Sequence, residues 1–144
     1  MKLIPSIIAF TLFLSSLYGH AQSTILISND GRIVGVAQEG NQYVDHYTAA
    51  YGPDKQGKIA KIGSMTIDYY TAAYGPDKQG RIAQIGDTVI DYYTAAYGPD
   101  KQGKVAKIGD TVIDYYTAAY GPYKQGKVSE VRAGKVSVQI AVSL

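Results

Sequence analysis

One block of 23 residues, repeated in tandem, dominates this sequence. It reads YTAAYGPDKQGKIAKIGSMTIDY at residues 47–69, recurs at 70–92 and 93–115, and begins a fourth time at Tyr116. A fixed period between about 20 and 50 residues is typical of proteins in which each copy forms one small structural unit. Such a unit cannot bury its own apolar side and therefore packs against its neighbours. We expect a stack of similar units.

The internal copies are nearly identical, whereas the units at both ends are not. The second and third copies differ only in having Arg81 against Lys104, Ile82 against Val105 and Gln84 against Lys107. A degenerate N-terminal unit occupies 24–46, and a partial repeat with a C-terminal cap occupies 116–144. Atypical terminal units prevent further stacking at the ends of an array. We therefore predict a single β-repeat domain over 22–144.

Residues 1–21 have the three-part pattern of a secretory signal peptide. A positive start at Lys2 precedes an apolar run over 3–17, and small residues at Gly19 and Ala21 suit cleavage after residue 21. The run is interrupted and shorter than the ~20 apolar residues that a bilayer span requires, so no stable membrane span is expected. We predict an exported protein, located in the periplasm, at the cell surface or outside the cell. The chain has no cysteine, so its stability cannot depend on disulfides.

Two turn signals divide each repeat. Gly109 and Asp110 lie between apolar residues, as in a two-residue hairpin of type I′ or II′. The longer Gly-Pro-Asp-Lys-Gln-Gly turn at 98–103 has a proline preset for turning and an aspartate able to bond its own backbone. Between the turns we predict a short strand over 104–108 and a longer one from 111 to about 120. The result is an all-β fold, an antiparallel strip of β-hairpins arranged as a meander or roll.

A parallel β-solenoid, with one coil per repeat, is the alternative. It would stack Asp68, Asp91 and Asp114 about 4.8 Å apart, and like charges placed directly opposite each other are unfavourable. In a meander the same residues are two strands apart, roughly 9.6 Å. This charge argument and the turn sequences favour hairpins over coils.

Alternation along the strands predicts the two faces of the sheet. If Ile108 pairs with Thr111 across the tight turn, Lys107 faces Val112 on one side of the sheet. On the other side, Ala106 then faces Ile113. Neither face is fully apolar in this arrangement, which suits a curled or single-layer antiparallel strip covered on both sides by tyrosine rings and lysine stems.

The wide turn resembles a known repeat. The sequence D-K-Q-G-[KR]-[IV] at 54–59, 77–82 and 100–105 resembles the D-x-x-G-[RK]-[LIV] core of the tyrosine-rich YD repeats of the Rhs family. The resemblance covers most of 31–128 and implies a long antiparallel β-strip. In the family a tyrosine directly precedes the aspartate, whereas this chain has a proline there, as at Pro53, and its tyrosine lies two residues earlier.

Paired tyrosines provide a second resemblance. Asp-Tyr-Tyr at 68–70, 91–93 and 114–116 is similar to cell-wall-binding repeats that hold choline or glucan between neighbouring hairpins. Those repeats use tryptophan, which this chain lacks. The resemblance implies that tyrosine rings stack on a sugar or a cation.

No residue has the sequence setting of a catalytic or metal-binding group. His46, the only histidine after residue 21, occupies the position of Tyr69 in the next copy and is therefore expected to be a degenerate repeat residue. The repeated aspartates share one environment, whereas an acid–base pair needs opposed environments. Each D-K-Q-G turn offers one carboxylate, too few for a calcium loop, so turn stabilisation explains it better. We predict no catalytic residue, metal or cofactor, and catalysis at His46 is the weakest hypothesis.

The remaining candidates are tyrosines that could contact a ligand or a partner. They recur in register in every copy: Tyr47, Tyr51, Tyr70, Tyr74, Tyr93, Tyr97, Tyr116 and Tyr120. Their simplest role is to pack against neighbouring side chains across the strands. Their functional role would be to form a surface on which a ligand or a partner stacks.

The partner is another macromolecule, either a protein or a glycan. With a net charge of +2 and basic residues mixed with acidic ones, binding to nucleic acid is not expected. We therefore predict a non-enzymatic exported repeat protein with a structural, adhesive or protein-interaction role. The alternative is a glycan- or cell-wall-binding module that uses the repeated tyrosines. The sequence does not define an oligomeric state.

Overall fold

The computed structural model describes residues 23–40 and 42–141, so the proposed signal peptide over 1–21 lies outside the described residues. Eleven strands form the described part of the chain. They are β1 (Thr24–Ser28), β2 (Ile33–Ala37), β3 (Val44–His46), β4 (Ile59–Ile62), β5 (Met65–Tyr69), β6 (Ile82–Ile85), β7 (Thr88–Tyr92), β8 (Val105–Ile108), β9 (Thr111–Tyr115), β10 (Val128–Arg132) and β11 (Ser137–Ala141). Short 3-10 turns follow four of these strands, at Ala49–Tyr51, Ala72–Tyr74, Ala95–Tyr97 and Ala118–Tyr120. None of the described helices is long and apolar enough to cross a bilayer.

The repeats form one antiparallel sheet of eight strands, β3 to β10, in the order of the sequence. Every neighbouring pair is antiparallel, so the prediction of a hairpin strip is confirmed and the parallel solenoid is wrong. In the tight turn Gly109 has φ +60°, whereas no described residue other than glycine has a positive φ. A positive φ at the first central position alone identifies the type II′ turn rather than type I′.

The longer strand of each repeat is shorter than predicted. β9 ends at Tyr115, and the predicted extension to about residue 120 is wrong because the chain enters the 3-10 turn at Ala118–Tyr120. Tyr116 still exchanges backbone hydrogen bonds with the far side of the wide turn, donating to Lys127 O and accepting from Gly126 N. Gly121, with φ +88°, then ends the 3-10 turn. The residues after Tyr116 therefore leave the plane of the sheet.

A second, smaller sheet covers one face of the repeat sheet. Its strand order is β11-β1-β2, with β1 parallel to β11 and antiparallel to β2. Two backbone hydrogen bonds hold the β1–β2 turn against the repeat sheet. Val105 N of the third repeat donates to Gly31 O at 3.0 Å, and Val128 N of β10 donates to Asn29 O at 2.9 Å. Ile25 and Ile27 of β1 are buried in the same apolar cluster as the repeat residues. Of the two arrangements predicted from alternation, a curled or a single-layer strip, the single layer is therefore wrong.

The covered face is fully apolar apart from one threonine in the third repeat. Val105, Ile108, Thr111, Ile113 and Tyr115 are each at most 3% exposed. The expected pairs Ile108–Thr111 and Lys107–Val112 are present. Ala106 and Ile113 were predicted to be neighbours on one face but lie on opposite faces. The pairing of β7 with β8 passes over Ala106 and places Val105 opposite Tyr92. Such a β-bulge turns the next side chain over to the other face.

Burial increases along the array. Ile62, Ile85 and Ile108 occupy equivalent positions, and the first is half-buried whereas the other two are buried. The same trend holds for Tyr69 and Tyr115, of which only the latter is buried. The contacts of β1 and of the β1–β2 turn with the third repeat account for this difference. The opposite face of the sheet, which carries Lys107 and Val112, is more open to solvent; we call it the open face.

Candidate binding face

The eight tyrosines predicted from the sequence divide into two rows. The inner row, half-buried, consists of Tyr47, Tyr70, Tyr93 and Tyr116. The outer row consists of Tyr51, Tyr74, Tyr97 and Tyr120, which are 60%, 62%, 63% and 63% exposed. Within each repeat the two rings meet at centroid distances of 4.9–5.0 Å. The inner row therefore supports the outer row, and only the outer row is presented to solvent.

The inner row joins the beginning of each repeat to its end. Each of its first three hydroxyls donates to a carbonyl twenty residues ahead, from Tyr47 to Ile67 at 2.8 Å, from Tyr70 to Ile90 at 2.7 Å and from Tyr93 to Ile113 at 2.9 Å. These rings also make edge contacts with a third set of tyrosines at 6.1–6.2 Å. An edge-to-face pair of this kind contributes about 0.5–1.5 kcal/mol beyond its buried area. The inner row thus has the packing role that the sequence also allowed.

The third set of tyrosines was not among the residues singled out by sequence. It consists of Tyr69, Tyr92 and Tyr115, at the end of the second strand of each hairpin. Tyr92 and Tyr115 are 6% and 3% exposed, and their hydroxyls donate to Ile82 O at 2.9 Å and to Val105 O at 2.7 Å. Burial strongly raises the pKa of both phenols, because a phenolate is poorly solvated there.

These buried phenols predict alkaline unfolding. The folded pKa of Tyr92 and Tyr115 lies above the value of about 10 for the unfolded chain. Their contribution to stability is therefore complete below pH ~10 and falls above it, by about 1.4 kcal/mol per pH unit for each group. Urea titrations between pH 8 and pH 11 should show this loss, and Tyr92→Phe with Tyr115→Phe should flatten it. Tyr97→Phe, in the exposed outer row, is the matched control; a profile that the double variant leaves unchanged would contradict the assignment.

A lysine of the wide turn covers each inner-row ring. Lys55 Nζ lies 5.6 Å from the centroid of the Tyr47 ring and 2.6 Å from Oδ1 of Asp68 in β5. The pairs Lys78–Asp91 and Lys101–Asp114 repeat this arrangement at 2.7 and 2.6 Å. The hydrogen bond to Asp68 raises the pKa of Lys55 against opposing desolvation. Each inner-row tyrosine already holds a cation that belongs to the protein.

In two of these pairs the aspartate, Asp68 or Asp114, also has a lowered pKa. Partial desolvation of Asp114 opposes its charge, but hydrogen bonds from Lys101 and from the backbone N–H of Tyr115 outweigh it and hold the carboxyl pKa below its usual value. Equivalent carboxylates are separated by one whole hairpin and each has its own lysine. The array therefore places no uncompensated like charges side by side along this row.

The aspartate of the wide turn connects repeats instead of stabilising its own turn. Asp77 Oδ2 accepts from Ala95 N at 2.9 Å, and Oδ1 accepts from Gln102 Nε2 at 2.7 Å. Asp54 and Asp100 make the same two contacts with the repeat that follows them. The prediction of a purely local turn role is therefore wrong. Tyr123 replaces this aspartate in the last copy, where no further repeat follows.

The open face carries three equivalent shallow pockets. They are lined by Asp45, Tyr47, Tyr51, Ala60, Lys61 and Thr66; by Asp68, Tyr70, Tyr74, Ala83, Gln84 and Val89; and by Asp91, Tyr93, Tyr97, Ala106, Lys107 and Val112. Their volumes are about 490, 510 and 300 Å³. Each pocket combines an aromatic wall with a carboxylate and a small or β-branched floor. The pattern recurs once per repeat across the strands.

His46 lies in β3 at the edge of the sheet and lines the first pocket. Its backbone N–H donates to Asp45 Oδ1 at 2.8 Å. In the described ranges, no three histidine, aspartate or glutamate side chains come close enough together to hold a metal ion. The assignment of no catalytic residue and no cofactor stays a prediction.

No protein-family model, curated protein or solved structure matches the chain. The resemblances to YD repeats and to cell-wall-binding repeats therefore stay predictions. The strands themselves define the class, an all-β hairpin-repeat protein with one face covered and one face open.

Proposed function

We propose that the protein is an exported, non-enzymatic repeat protein that adheres to another macromolecule through its open face. The observation that carries this proposal is the outer row, four tyrosines at equivalent positions that are all 60–63% exposed. Each outer-row ring contacts an inner-row ring at 4.9–5.0 Å, so every repeat presents an exposed aromatic pair. Exposed apolar patches are typical of interaction sites. Tyrosine suits such a surface because its rigid amphipathic ring gives a large contact area at a low cost in conformational entropy.

The regular spacing of the outer row supports adhesion rather than catalysis. A catalytic centre needs a pair of groups in unlike environments, whereas the three pockets repeat the same kinds of side chain. Several weak contacts on one rigid sheet strengthen each other, because the second contact forms at a high effective concentration once the first is made. A repetitive partner gains most from this arrangement.

A glycan partner is the second candidate, and the lysines of the inner row favour it. Each inner-row ring is already covered by Lys55 or its equivalents, Lys78, Lys101 and Lys124. A cationic ligand would have to compete with these ammonium groups, whereas an uncharged sugar ring can stack on the outer row without displacing them. The second pocket also offers a carboxylate and an amide for sugar hydroxyls, and the other two offer a carboxylate and an ammonium group.

Removing the outer row tests the proposal. A variant with Tyr51→Ala, Tyr74→Ala, Tyr97→Ala and Tyr120→Ala should lose at least about tenfold in binding, since each exposed ring contributes a separate contact. The measurement is sedimentation or pull-down with peptidoglycan, amorphous chitin, amorphous cellulose, and immobilised collagen and fibrinogen. Tyr123→Ala is the matched control, because Tyr123 is 87% exposed but lies in the wide turn outside the outer row.

Two outcomes contradict the proposal. One is wild-type protein that binds none of these surfaces, and the other is a four-tyrosine variant that binds as well as wild type. Circular dichroism of each variant verifies that the sheet is intact. The inner row is left unchanged, so its hydrogen bonds within each repeat remain.

A further inference from the structure

We infer that the open face takes one extended, uncharged β-1,4-linked glycan chain laid across the strands, with one disaccharide on each repeat. This inference rests on the proposed adhesive function and names the ligand of the same face. It depends on three features of the face, namely its period, the chemistry of its pockets and its twist.

The period of the face matches a disaccharide. Each repeat advances the sheet by two antiparallel strands, and two strand spacings amount to roughly 9.6 Å. Two sugar rings joined by an equatorial β-1,4 linkage have about this length, and the linkage returns the chain to the same orientation every second ring. The outer-row tyrosine therefore meets an equivalent sugar in every repeat. A chain that lies along the strands would meet only one tyrosine.

The chemistry of each pocket suits a neutral sugar ring. The exposed tyrosine offers an apolar surface for the C–H side of the ring, as Tyr74 does beside the second pocket. Asp68 and Gln84 in the same pocket present a hydrogen-bond acceptor and an amide for ring hydroxyls. The carboxylate is paired with Lys55 at 2.6 Å, so the pocket has little net charge. Lys61 and Lys107 replace Gln84 in the other two pockets, each in a pocket that also contains an aspartate. Because both signs of charge are mixed along the face, neither an anionic nor a cationic polymer is favoured.

The twist of the sheet favours binding of a single glycan chain over binding of a crystalline polysaccharide surface. Adjacent strands of a sheet rotate by about 20–25°, so successive outer-row tyrosines are turned by roughly 40–50°. A single glycan chain can follow this rotation by turning about its linkages. The flat face of a crystalline fibre cannot. Soluble oligosaccharides and amorphous polysaccharide are therefore the favoured ligands.

Titration calorimetry with cello-oligosaccharides and chito-oligosaccharides of two, four, six and eight sugars tests this inference on the full chain. Affinity for one of the two series should rise roughly three- to tenfold with each added disaccharide, since each addition makes one more aromatic contact. The rise should stop at eight sugars, because the outer row has four members, so ten-sugar chains of both series are added and should bind no more tightly than eight. Malto-oligosaccharides, which are α-1,4-linked and curved, should bind without this stepwise gain.

A variant of the last outer-row tyrosine tests whether each disaccharide contacts one tyrosine. Tyr120→Ala should move the plateau from eight sugars to six and leave the affinity for shorter chains unchanged, and Tyr123→Ala should move nothing. An affinity independent of length beyond two sugars, or an equal stepwise gain for the malto series, would overturn the inference. If neither β-linked series binds while the four-tyrosine variant still loses its binding to collagen or fibrinogen, the glycan inference fails and the adhesive function stands. If all binding is absent, both fail.

Discussion

Replacing Ile108 with alanine should lower the free energy of unfolding by about 2–5 kcal/mol, the range for large-to-small changes in a core. Ile108 is 0% exposed and lies between the repeat sheet and the small sheet. Its removal leaves a cavity next to Ile113 and Val105, which are themselves fully buried and cannot collapse into the space without disturbing both layers. Urea denaturation followed by circular dichroism measures the loss.

The repeats provide a matched control for this variant. Ile62 has the same residue type at the equivalent position of the first repeat, where it is only half-buried. Ile62→Ala should therefore cost less than Ile108→Ala, because its side chain keeps more contact with water in the native state. Equal losses at both positions would show that the small sheet does not cover the third repeat more fully than the first.

Replacing Gly31 with alanine should destabilise the protein by about 2–5 kcal/mol, from two separate causes. Gly31 has φ +83°, where an L side chain costs about 1–2 kcal/mol. An added Cβ would also lie 2.6 Å from Cζ of Tyr115, which forces one of the two groups to move. Tyr115 has little freedom, because its hydroxyl is bonded to Val105 O at 2.7 Å. Overpacking of this kind adds about 1–3 kcal/mol.

Gly57 separates the two causes. It has φ +77° in the first wide turn, and a Cβ added there would meet no atom within 4 Å. Gly57→Ala should therefore show the backbone cost alone, and the additional loss in Gly31→Ala measures the contact between the small sheet and Tyr115. Thermal or urea unfolding of the two variants side by side gives this difference. A Gly31→Ala variant as stable as Gly57→Ala would contradict the close packing of Gly31 on Tyr115.

The sequence predicts the repeat sheet well because its turns are defined by local chemistry. The Gly-Asp pair at Gly109 specifies a tight hairpin, and the period fixes how many hairpins follow. The bulge at Ala106 has no such local signature, so alternation alone assigned Ala106 to the wrong face. The small sheet could not be predicted from the sequence. Thr24 pairs with Ser137, which lies almost the whole chain away, and neither segment belongs to a repeat that would indicate the pairing.

The candidate face was predicted in part. The sequence identified the register of tyrosines but could not separate Tyr47 from Tyr51, since a strand that continued beyond the inner row would place residues four apart on the same side. The 3-10 turn at Ala49–Tyr51 separates them instead. The contacts of Asp77 were missed because Ala95 and Gln102 lie 18 and 25 residues ahead, beyond the reach of turn propensities.

The parallel pairing of β1 with β11 determines how the molecule bears a mechanical load. Thr24 lies beside Ser137 and Ser28 beside Ala141, so the two ends of the described chain leave this pair of strands in opposite directions. Tension between those ends would slide β1 along β11 and strain all of their hydrogen bonds together, instead of opening them one after another. The hairpins lie inside the loop that this pair closes, so they would carry no tension until the pair yields. Under such end-to-end tension the molecule would therefore fail first at β1 and β11, with its tyrosine rows still in register.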